Sequence, residues 1–289
     1  MKRFFLLILV VCLLTGCVPS SPSDIAATTL PVYEFTARLC QGTGLTVTRL
    51  VTESVSCLHD YTLQVHQMRA IEGSKAVIIS GAGLEDFLHD ALHDHSSIID
   101  ASQGIELLCA GEEHSHDHDT HHHHDGDPHL WLSPIRAKVM AENICQGLIR
   151  DFPEFSDIFQ ENLSALCADL DALQSYGEET LKELSCRELI TFHDGFPYFA
   201  EAFDLTILHA VEEESGSEAS AAELIELIQM VEHHAIPAIF TETNGATAAA
   251  SVIGAETGCA VYALDMAMSG SSYFEAMYHN IDTIKEALG

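Results

Sequence analysis

The chain has 289 residues, of which 47% are hydrophobic and 19% charged, so it is long enough and apolar enough for one large or two ordinary domains. Its formal net charge is −32, from 12 Lys plus Arg against 44 Asp plus Glu. Such a charge repels phosphate backbones and anionic lipid surfaces. We therefore expect no nucleic-acid partner, and we expect cations to bind more readily than anions.

The N-terminus predicts an exported, lipid-anchored protein. Two basic residues precede an apolar run over residues 4–14, which is shorter than the roughly 20 residues of a membrane-spanning helix. The sequence LTGC, ending at Cys17, resembles a bacterial lipobox, in which the signal is removed before the cysteine and the sulfur carries a diacylglyceryl group. We expect a signal peptide over 1–16, lipidation of Cys17, a tether over 17–23, and a location on the outer face of the cytoplasmic membrane. An ordinary cleaved signal is the alternative.

The next part of the chain alternates short apolar runs with amphipathic stretches. The runs DIAATTL, LTVTRLV, KAVIIS and SSIID predict strands, whereas PVYEFTARLC, YTLQVHQMRAIE and LEDFLHDALHD have helical spacing. Ser133 and Pro134 then look like the start of a further helix. This βαβα order predicts an N-terminal α/β lobe with a parallel sheet over residues 24–152.

The same rhythm returns in the last hundred residues. The runs RELITF, LTILHAV, PAIFTE and AVYAL predict strands, and FPYFAEAF, ASAAELIELIQMVEHH, ATAAASVIGAETG and YFEAMYHNIDTIKEAL predict helices. We therefore expect a second α/β lobe over residues 185–289.

Residues 153–184 predict a helix that links the two lobes. Apolar residues recur there at spacings of three and four or their multiples, and acidic and amide side chains fill the other positions. One long, stiff helix is the first prediction, and two shorter helices broken at Gly177 are the alternative.

The cysteines do not predict a disulfide framework. Apart from Cys12 and Cys17, seven remain, with no CxxC pair among them, although one or two bridges stay open. They are Cys40, Cys57, Cys109, Cys145, Cys167, Cys186 and Cys259.

Four residues that suit a metal ion follow predicted strands or precede helices. His59 and His129 come from the first lobe, and His193 and Asp265 come from the second. Ligands of open parallel sheets bind beyond the carboxyl ends of the strands. Three imidazoles and one carboxylate form a tetrahedral set suited to Zn²⁺. Each signal is weak alone, and their joint placement predicts a site in the cleft between the lobes.

The whole mature chain resembles the metal-specific solute-binding lipoproteins of bacterial ABC importers, the zinc and manganese group. The resemblance is carried in order by HDY, KAVIISGAGLEDFL, DPHLWLSP, FHDGFPYFAEAFDL, SEASAAELIELI, IPAIFTE, ALD and YFEAMYHNIDTIKEAL. It implies two lobes joined by one rigid helix, capture of a metal ion, and a monomer that docks on a membrane permease with its ATPase. The family's four ligand positions fall on His59, His129, His193 and Asp265.

The third ligand position distinguishes the metals. Manganese members resemble this chain but usually carry a carboxylate where His193 stands, and imidazole suits zinc better than manganese. We expect Zn²⁺, with Mn²⁺ as the alternative. The proline common before the first histidine is Leu58 here, which puts the rigidity of that loop in question. Glu242 matches an acidic residue near the family's cleft, and it either orients a ligand imidazole or is a charge near a helix N-terminus.

A histidine-rich segment lies between the first two candidate ligands, as in the zinc members that the chain resembles. It is internal and interrupted, so it is not a tag, and we expect a mobile loop over 112–127. It either collects zinc beside the main site or is a solvated loop with incidental affinity. Its histidines are His114, His116, His118, His121, His122, His123 and His124.

Two other functions compete with metal transport. Three histidines and a zinc-bound water would suit a hydrolase, but Asp265 would fill the fourth position and no HExxH or GxSxG motif occurs. An adhesin is the second rival, but nothing in the sequence supplies an adhesive surface. We expect a binding protein and not an enzyme.

Overall fold

The computed structural model describes residues 23–53, 58, 61–108, 126–211, 220–245 and 247–289. These contain two four-stranded parallel sheets. The first has the order β2-β1-β3-β4, with strands β1 Ile25–Ala27, β2 Val47–Arg49, β3 Ala76–Ile79 and β4 Ile98–Asp100. The second has the order β6-β5-β7-β8, with strands β5 Glu188–Thr191, β6 Thr206–Ala210, β7 Ala238–Glu242 and β8 Ala260–Leu264.

Helices connect and flank these strands. In chain order the described residues form α1 Leu30–Leu39, α2 Val65–Gly73, α3 His89–Leu92, α4 Pro134–Asp151, α5 Ser156–Leu181, α6 Pro197–Ala202, α7 Ala221–His234, α8 Ala248–Thr257 and α9 Tyr273–Leu288. We call the first sheet with α1–α4 the N-terminal lobe, and the second sheet with α6–α9 the C-terminal lobe. The prediction of two parallel α/β sheets with helices around them and one long helix between them is confirmed.

Local signals explain where several helices begin and end. The Ser133 side chain accepts a hydrogen bond from the Arg136 N–H, and Pro134 occupies the first turn of α4. Ser220 and Glu223 form a capping box at the start of α7. Gly258 ends α8 in the left-handed region, with φ 78°.

One predicted helix is much shorter than its sequence pattern. The stretch LEDFLHDALHD forms a 3-10 turn over Asp86–Leu88 and the four-residue helix α3. The preceding residues Gly81, Ala82 and Gly83 all have positive φ, and the Glu85 carboxylate accepts hydrogen bonds from the backbone N–H groups of residues 80 and 81. This compact turn occupies the residues that would otherwise begin the helix.

Helix α5 links the lobes without interruption. Its 26 residues span about 39 Å and continue through Gly177, so the alternative of a break at that glycine was wrong. Near its start, the Asn162 side chain donates to Leu39 O of α1 at 2.8 Å. Near its end, the Tyr176 hydroxyl donates to Asp282 of α9 at 2.6 Å. The helix therefore contacts both lobes directly.

The two lobes share one apolar core. A continuous cluster of buried side chains runs from Ile25 and Phe35 of the N-terminal lobe through Trp131 to Phe199 and Tyr273 of the C-terminal lobe. Among the described residues, no helix is long and apolar enough to cross a membrane. The five cysteines that the structure describes, all except Cys57 and Cys109 of the seven, are free thiols.

Gly177 offers a test of how tightly α5 packs on the C-terminal lobe. A Cβ atom at this position would lie 2.2 Å from Cε1 of the buried Phe203 ring. We expect Gly177→Ala to destabilise the fold by about 1–3 kcal/mol in urea unfolding, because overpacking outweighs the gain in helix propensity. The control is Ser175→Ala on the exposed face of the same helix, which we expect to be neutral or stabilising. Equal behaviour of the two variants would contradict the close contact with Phe203.

Candidate metal centre

His129 is held in one orientation by a neighbouring carboxylate. It precedes a 3-10 turn over Leu130–Leu132, and it is 7% exposed. Asp127 Oδ1 accepts a hydrogen bond from the His129 backbone N–H at 2.9 Å and lies 2.7 Å from His129 Nδ1. This arrangement favours the tautomer with its proton on Nδ1 and its lone pair on Nε2, as in many metal-binding histidines.

His193 has a similar environment in the other lobe. It follows strand β5 by two residues, and its Nδ1 lies 3.1 Å from Glu242 Oε1 at the end of the neighbouring strand β7. Glu242 is 7% exposed. Gly195 allows the close approach of the chain here, because a Cβ atom would lie 2.6 Å from His193 Cδ2 and 2.4 Å from Met266 Cε.

The structure brings these two histidines together across the lobes. Their ring centroids are 5.3 Å apart and the ring planes are inclined by 82°. Each imidazole thus has a carboxylate beside its Nδ1 and the other imidazole at its face or edge. The pair supplies two nitrogen donors of the type that Zn²⁺ prefers.

Asp265 lies at the end of strand β8, where the sequence predicted it. Its backbone N–H donates to Asn280 Oδ1 at 2.7 Å, and its carbonyl accepts from Asn280 Nδ2 at 2.7 Å. Its Oδ1 accepts a hydrogen bond from the Ala267 N–H at 2.7 Å. The structure does not group this carboxylate with the histidine pair: within the described part of the chain, no three His, Cys, Asp or Glu side chains are placed to hold a metal ion.

Two groups of predicted residues lie outside the described residues. The first is His59, the remaining candidate ligand. The neighbouring Leu58, which replaces the usual proline, is 1% exposed and packs in the shared core. The second group is the histidine-rich segment from His114 to His124.

Sequence reasoning missed Asp127 as a partner of His129, because the expected histidine-rich loop over 112–127 ends at this residue. It is 4% exposed, and its N–H donates to Leu108 O at 2.9 Å. The mobile loop expected over 112–127 therefore ends in a buried, hydrogen-bonded residue. The signal was present in the motif DPH, where an acid stands two residues before a candidate ligand.

Tyr198 connects the Asp127 turn to the other lobe, and it was also missed. This fully buried residue of α6 donates from its hydroxyl to Asp127 O at 2.7 Å and accepts from the Leu108 N–H at 3.0 Å. Burial raises the pKa of the Tyr198 hydroxyl to about 12, so the proton that it donates is retained at neutral pH.

The chain is similar to known zinc-uptake proteins over almost its whole length. The sequence profile of the family described as "Zinc-uptake complex component A periplasmic" (ZnuA) matches residues 25–287. The high-affinity zinc uptake system protein ZnuA of Bacillus subtilis (strain 168) is 27% identical over 91% of this chain and 87% of its own. The zinc-binding lipoprotein AdcA of Streptococcus pneumoniae serotype 4 is 29% identical over 99% of this chain, which spans 61% of the length of that relative.

Solved structures share this fold. A crystal structure of ZnuA has a TM-score of 0.79 at 27% identity and covers 92% of this chain and 100% of its own. The Zn(II)-bound ZnuA-like domain of Streptococcus pneumoniae AdcA has a TM-score of 0.77 at 26% identity, over 92% of this chain and 98% of its own. The laminin-binding adhesin Lmb of Streptococcus agalactiae, at 20% identity and a TM-score of 0.78, shares the fold. Since the family profile spans both lobes and the linking helix, the chain belongs to the ZnuA family of periplasmic components of zinc-uptake complexes.

Proposed function

We propose that this protein captures one Zn²⁺ ion between its lobes and delivers it to a membrane permease. The observation that carries this proposal is the pair His129 and His193, which come from different lobes and meet edge to face at 5.3 Å. Each has a carboxylate beside Nδ1, so both imidazoles are prepared to bind through Nε2. The family is a solute-binding component of zinc uptake and not an enzyme, which removes the hydrolase as a competing function.

The proposed ligands are His59, His129, His193 and Asp265. Three imidazole nitrogens and one carboxylate oxygen satisfy the tetrahedral preference of Zn²⁺, and the nitrogen at His193 favours zinc over the harder Mn²⁺. Asp265 would join the set through its carboxylate, whose Oδ1 accepts a hydrogen bond from the Ala267 N–H. Glu242 would orient His193, since it contacts that ring and stands six residues before the first residue of α8.

The histidine-rich segment has an auxiliary part in this proposal. Its seven histidines from His114 to His124 would exchange zinc weakly and raise its local concentration beside the site. The segment precedes Asp127 by only a few residues, so a zinc ion released from it starts close to His129.

The partners follow from the family. ABC zinc-uptake systems contain a membrane permease and an ATPase, and the family acts outside the cytoplasm. We propose that this chain docks on such a permease as a monomer. We further propose that acyl chains on Cys17 anchor it to the outer face of the cytoplasmic membrane, because each buried methylene contributes about 0.8 kcal/mol to binding.

Zinc titration of three proteins tests the proposed site. They are the chain from Ser20 onward, the same chain without residues 112–125, and its His193→Ala variant. We expect one tight zinc in the first two proteins. We expect binding at least about 100-fold weaker in the third, because one of four ligands is lost. Competition with a chromogenic chelator gives the affinities, and elemental analysis gives the stoichiometry.

The loop deletion decides between two locations of the site. If the deletion abolished tight binding while His193→Ala retained it, the histidine-rich segment would be the site and the four-ligand assignment would be wrong. Unfolding curves of all three proteins show whether any loss of zinc is caused by loss of the fold.

Glu242→Gln tests whether a buried carboxylate orients His193. The amide keeps the size of the side chain and removes the charge that favours the Nδ1–H tautomer. We expect zinc affinity to fall about 10–100-fold, as for other carboxylates that hold a ligand histidine. The matched control is Glu188→Gln, because Glu188 Oε2 also lies 3.1 Å from a histidine Nδ1, that of His234, on the surface. Equal affinities for the two variants would contradict an orienting part for Glu242.

Cys17→Ser tests the lipid anchor. We expect the full-length protein, expressed in a bacterium that makes lipoproteins, to partition into the detergent phase of a Triton X-114 extraction. The variant should move to the aqueous phase, because it lacks the sulfur that carries the diacylglyceryl group. Partitioning of both forms into the aqueous phase would favour an ordinary cleaved signal.

A further inference from the structure

The loop that follows Asp265 is held by the opposite lobe. In this loop, which we call the Asp265 loop (residues 265–270), three alternate carbonyl groups accept hydrogen bonds from the N-terminal lobe. The donors are Trp131 Nε1 to Met266 O at 2.7 Å, the Leu30 N–H to Met268 O at 3.3 Å, and Arg49 Nη1 to Gly270 O at 2.8 Å. The first of these carbonyls belongs to the residue next to the candidate ligand.

Trp131 both donates a hydrogen bond to the C-terminal lobe and accepts one from it. Its indole donates to Met266 O, and its own carbonyl accepts from the Tyr273 hydroxyl of α9 at 2.7 Å. Both aromatic side chains are fully buried. Trp131 also lies two residues after His129, and the two rings contact edge to face with centroids 5.4 Å apart. One side chain thus touches a candidate ligand of the N-terminal lobe and the backbone beside a candidate ligand of the C-terminal lobe.

The Asp265 loop has a backbone that needs such support. Ala267 has φ 53°, a left-handed conformation that costs energy for any residue with a Cβ atom, and it is fully buried. Residues are kept in this region when the surrounding structure holds them there. Asn280 fixes the loop from its own lobe through Asp265, and Trp131 fixes it from the other.

We propose that Trp131 is a positioning residue for zinc, which sets the distance between His129 and the Asp265 backbone before the ion arrives. This inference rests on the proposed function. Because the backbone on both sides is already fixed, the loop that carries Asp265 would not have to move during capture. A site that is ordered in advance avoids the entropy cost of ordering during binding. Loss of the indole hydrogen bond should therefore weaken zinc binding and speed its release.

A simpler explanation is that Trp131 only fills the core and pairs its N–H, as buried tryptophans usually do. Both explanations predict a loss of stability when the N–H is removed. Only the positioning explanation predicts a loss of zinc affinity at temperatures where the variant is fully folded.

The test compares Trp131→Phe with Asn162→Ala in the chain from Cys17 onward. Trp131→Phe keeps an aromatic ring and leaves Met266 O without its donor. Asn162→Ala removes side-chain hydrogen bonds to Leu39 O at the end of α1 and to Gln41 O just after it, so it also removes polar contacts to the N-terminal lobe, but it lies on α5. We expect zinc affinity to fall about 10-fold in Trp131→Phe, mostly through faster release, and to stay unchanged in Asn162→Ala.

Hydrogen exchange of the metal-free proteins gives a second readout. The Ala267 amide, bonded to Asp265 Oδ1, should exchange faster in Trp131→Phe than in the wild type. It should be unchanged in Asn162→Ala. This measurement reports the order of the loop without relying on zinc.

A chemical replacement covers the case in which Trp131→Phe does not fold. Trp131 is the only tryptophan of the chain, so a tryptophan analogue incorporated biosynthetically changes this position alone. 3-Benzothienylalanine has sulfur in place of the indole N–H in a ring of nearly the same shape, whereas 5-fluorotryptophan keeps the N–H. We expect weaker zinc binding with the first analogue and wild-type binding with the second.

Each outcome has a separate meaning. Wild-type zinc affinity in Trp131→Phe or in the benzothienyl protein would overturn the inference, even if Ala267 exchanged faster. An equal loss in Asn162→Ala would also overturn it, because the effect would then follow stability alone. Absence of tight zinc binding in the wild type would overturn the proposed function, and this inference with it.

Discussion

Contact between the two lobes through a single apolar core is the constraint on which the rest of this structure depends. Side chains of both sheets belong to one buried cluster, and α5 packs along both lobes. Burial of apolar surface stabilises such a contact by about 25 cal/mol for each Å². Opening the lobes would expose this surface to water. It would also break the hydrogen bond from Trp131 to Met266 O and the one from Tyr198 to Asp127 O. The shared core and these interlobe hydrogen bonds therefore constrain the distance between His129 and His193.

Buried carboxylates prepare the histidine pair for a cation. Asp127 and Glu242 are each less than a tenth exposed, and burial of a charge is costly unless it is paired. Each lies beside Nδ1 of one imidazole, so it orients that ring and favours the tautomer with its lone pair on Nε2. A divalent cation bound at Nε2 of both rings would offset the negative charges of the two carboxylates. The same environment gives an anion no favourable contact.

Much of the fold was predictable because its signals are local. Hydrophobic periodicity located all eight strands of the described residues, and the rule that ligands bind beyond the carboxyl ends of parallel strands selected His193 and Asp265 as candidates. The contacts that complete the site were not predictable, because they join distant residues: Trp131 and Met266 are 135 positions apart. The helix expected over 84–94 failed for a different reason, since positive φ angles at residues 81–83 and the Glu85 carboxylate impose a turn that hydrophobic spacing does not reveal.

The shared core also limits how zinc would be released. Delivery requires a lower affinity for zinc in the complex with the permease than in the free protein. That difference has to come from residues whose arrangement differs between these two states. The continuous helix α5 and the buried Trp131 contact oppose a large change in the angle between the lobes. The Asp265 side chain is less restrained. It is half-buried, and its carboxylate accepts a hydrogen bond from the backbone N–H of Ala267, only two residues away. In the proposed site, rotation of Asp265 away from the ion would lower the number of ligands by one without disturbing the core. A permease that stabilises the Ala267-bound rotamer would then lower the affinity for zinc while the histidine pair stays in place.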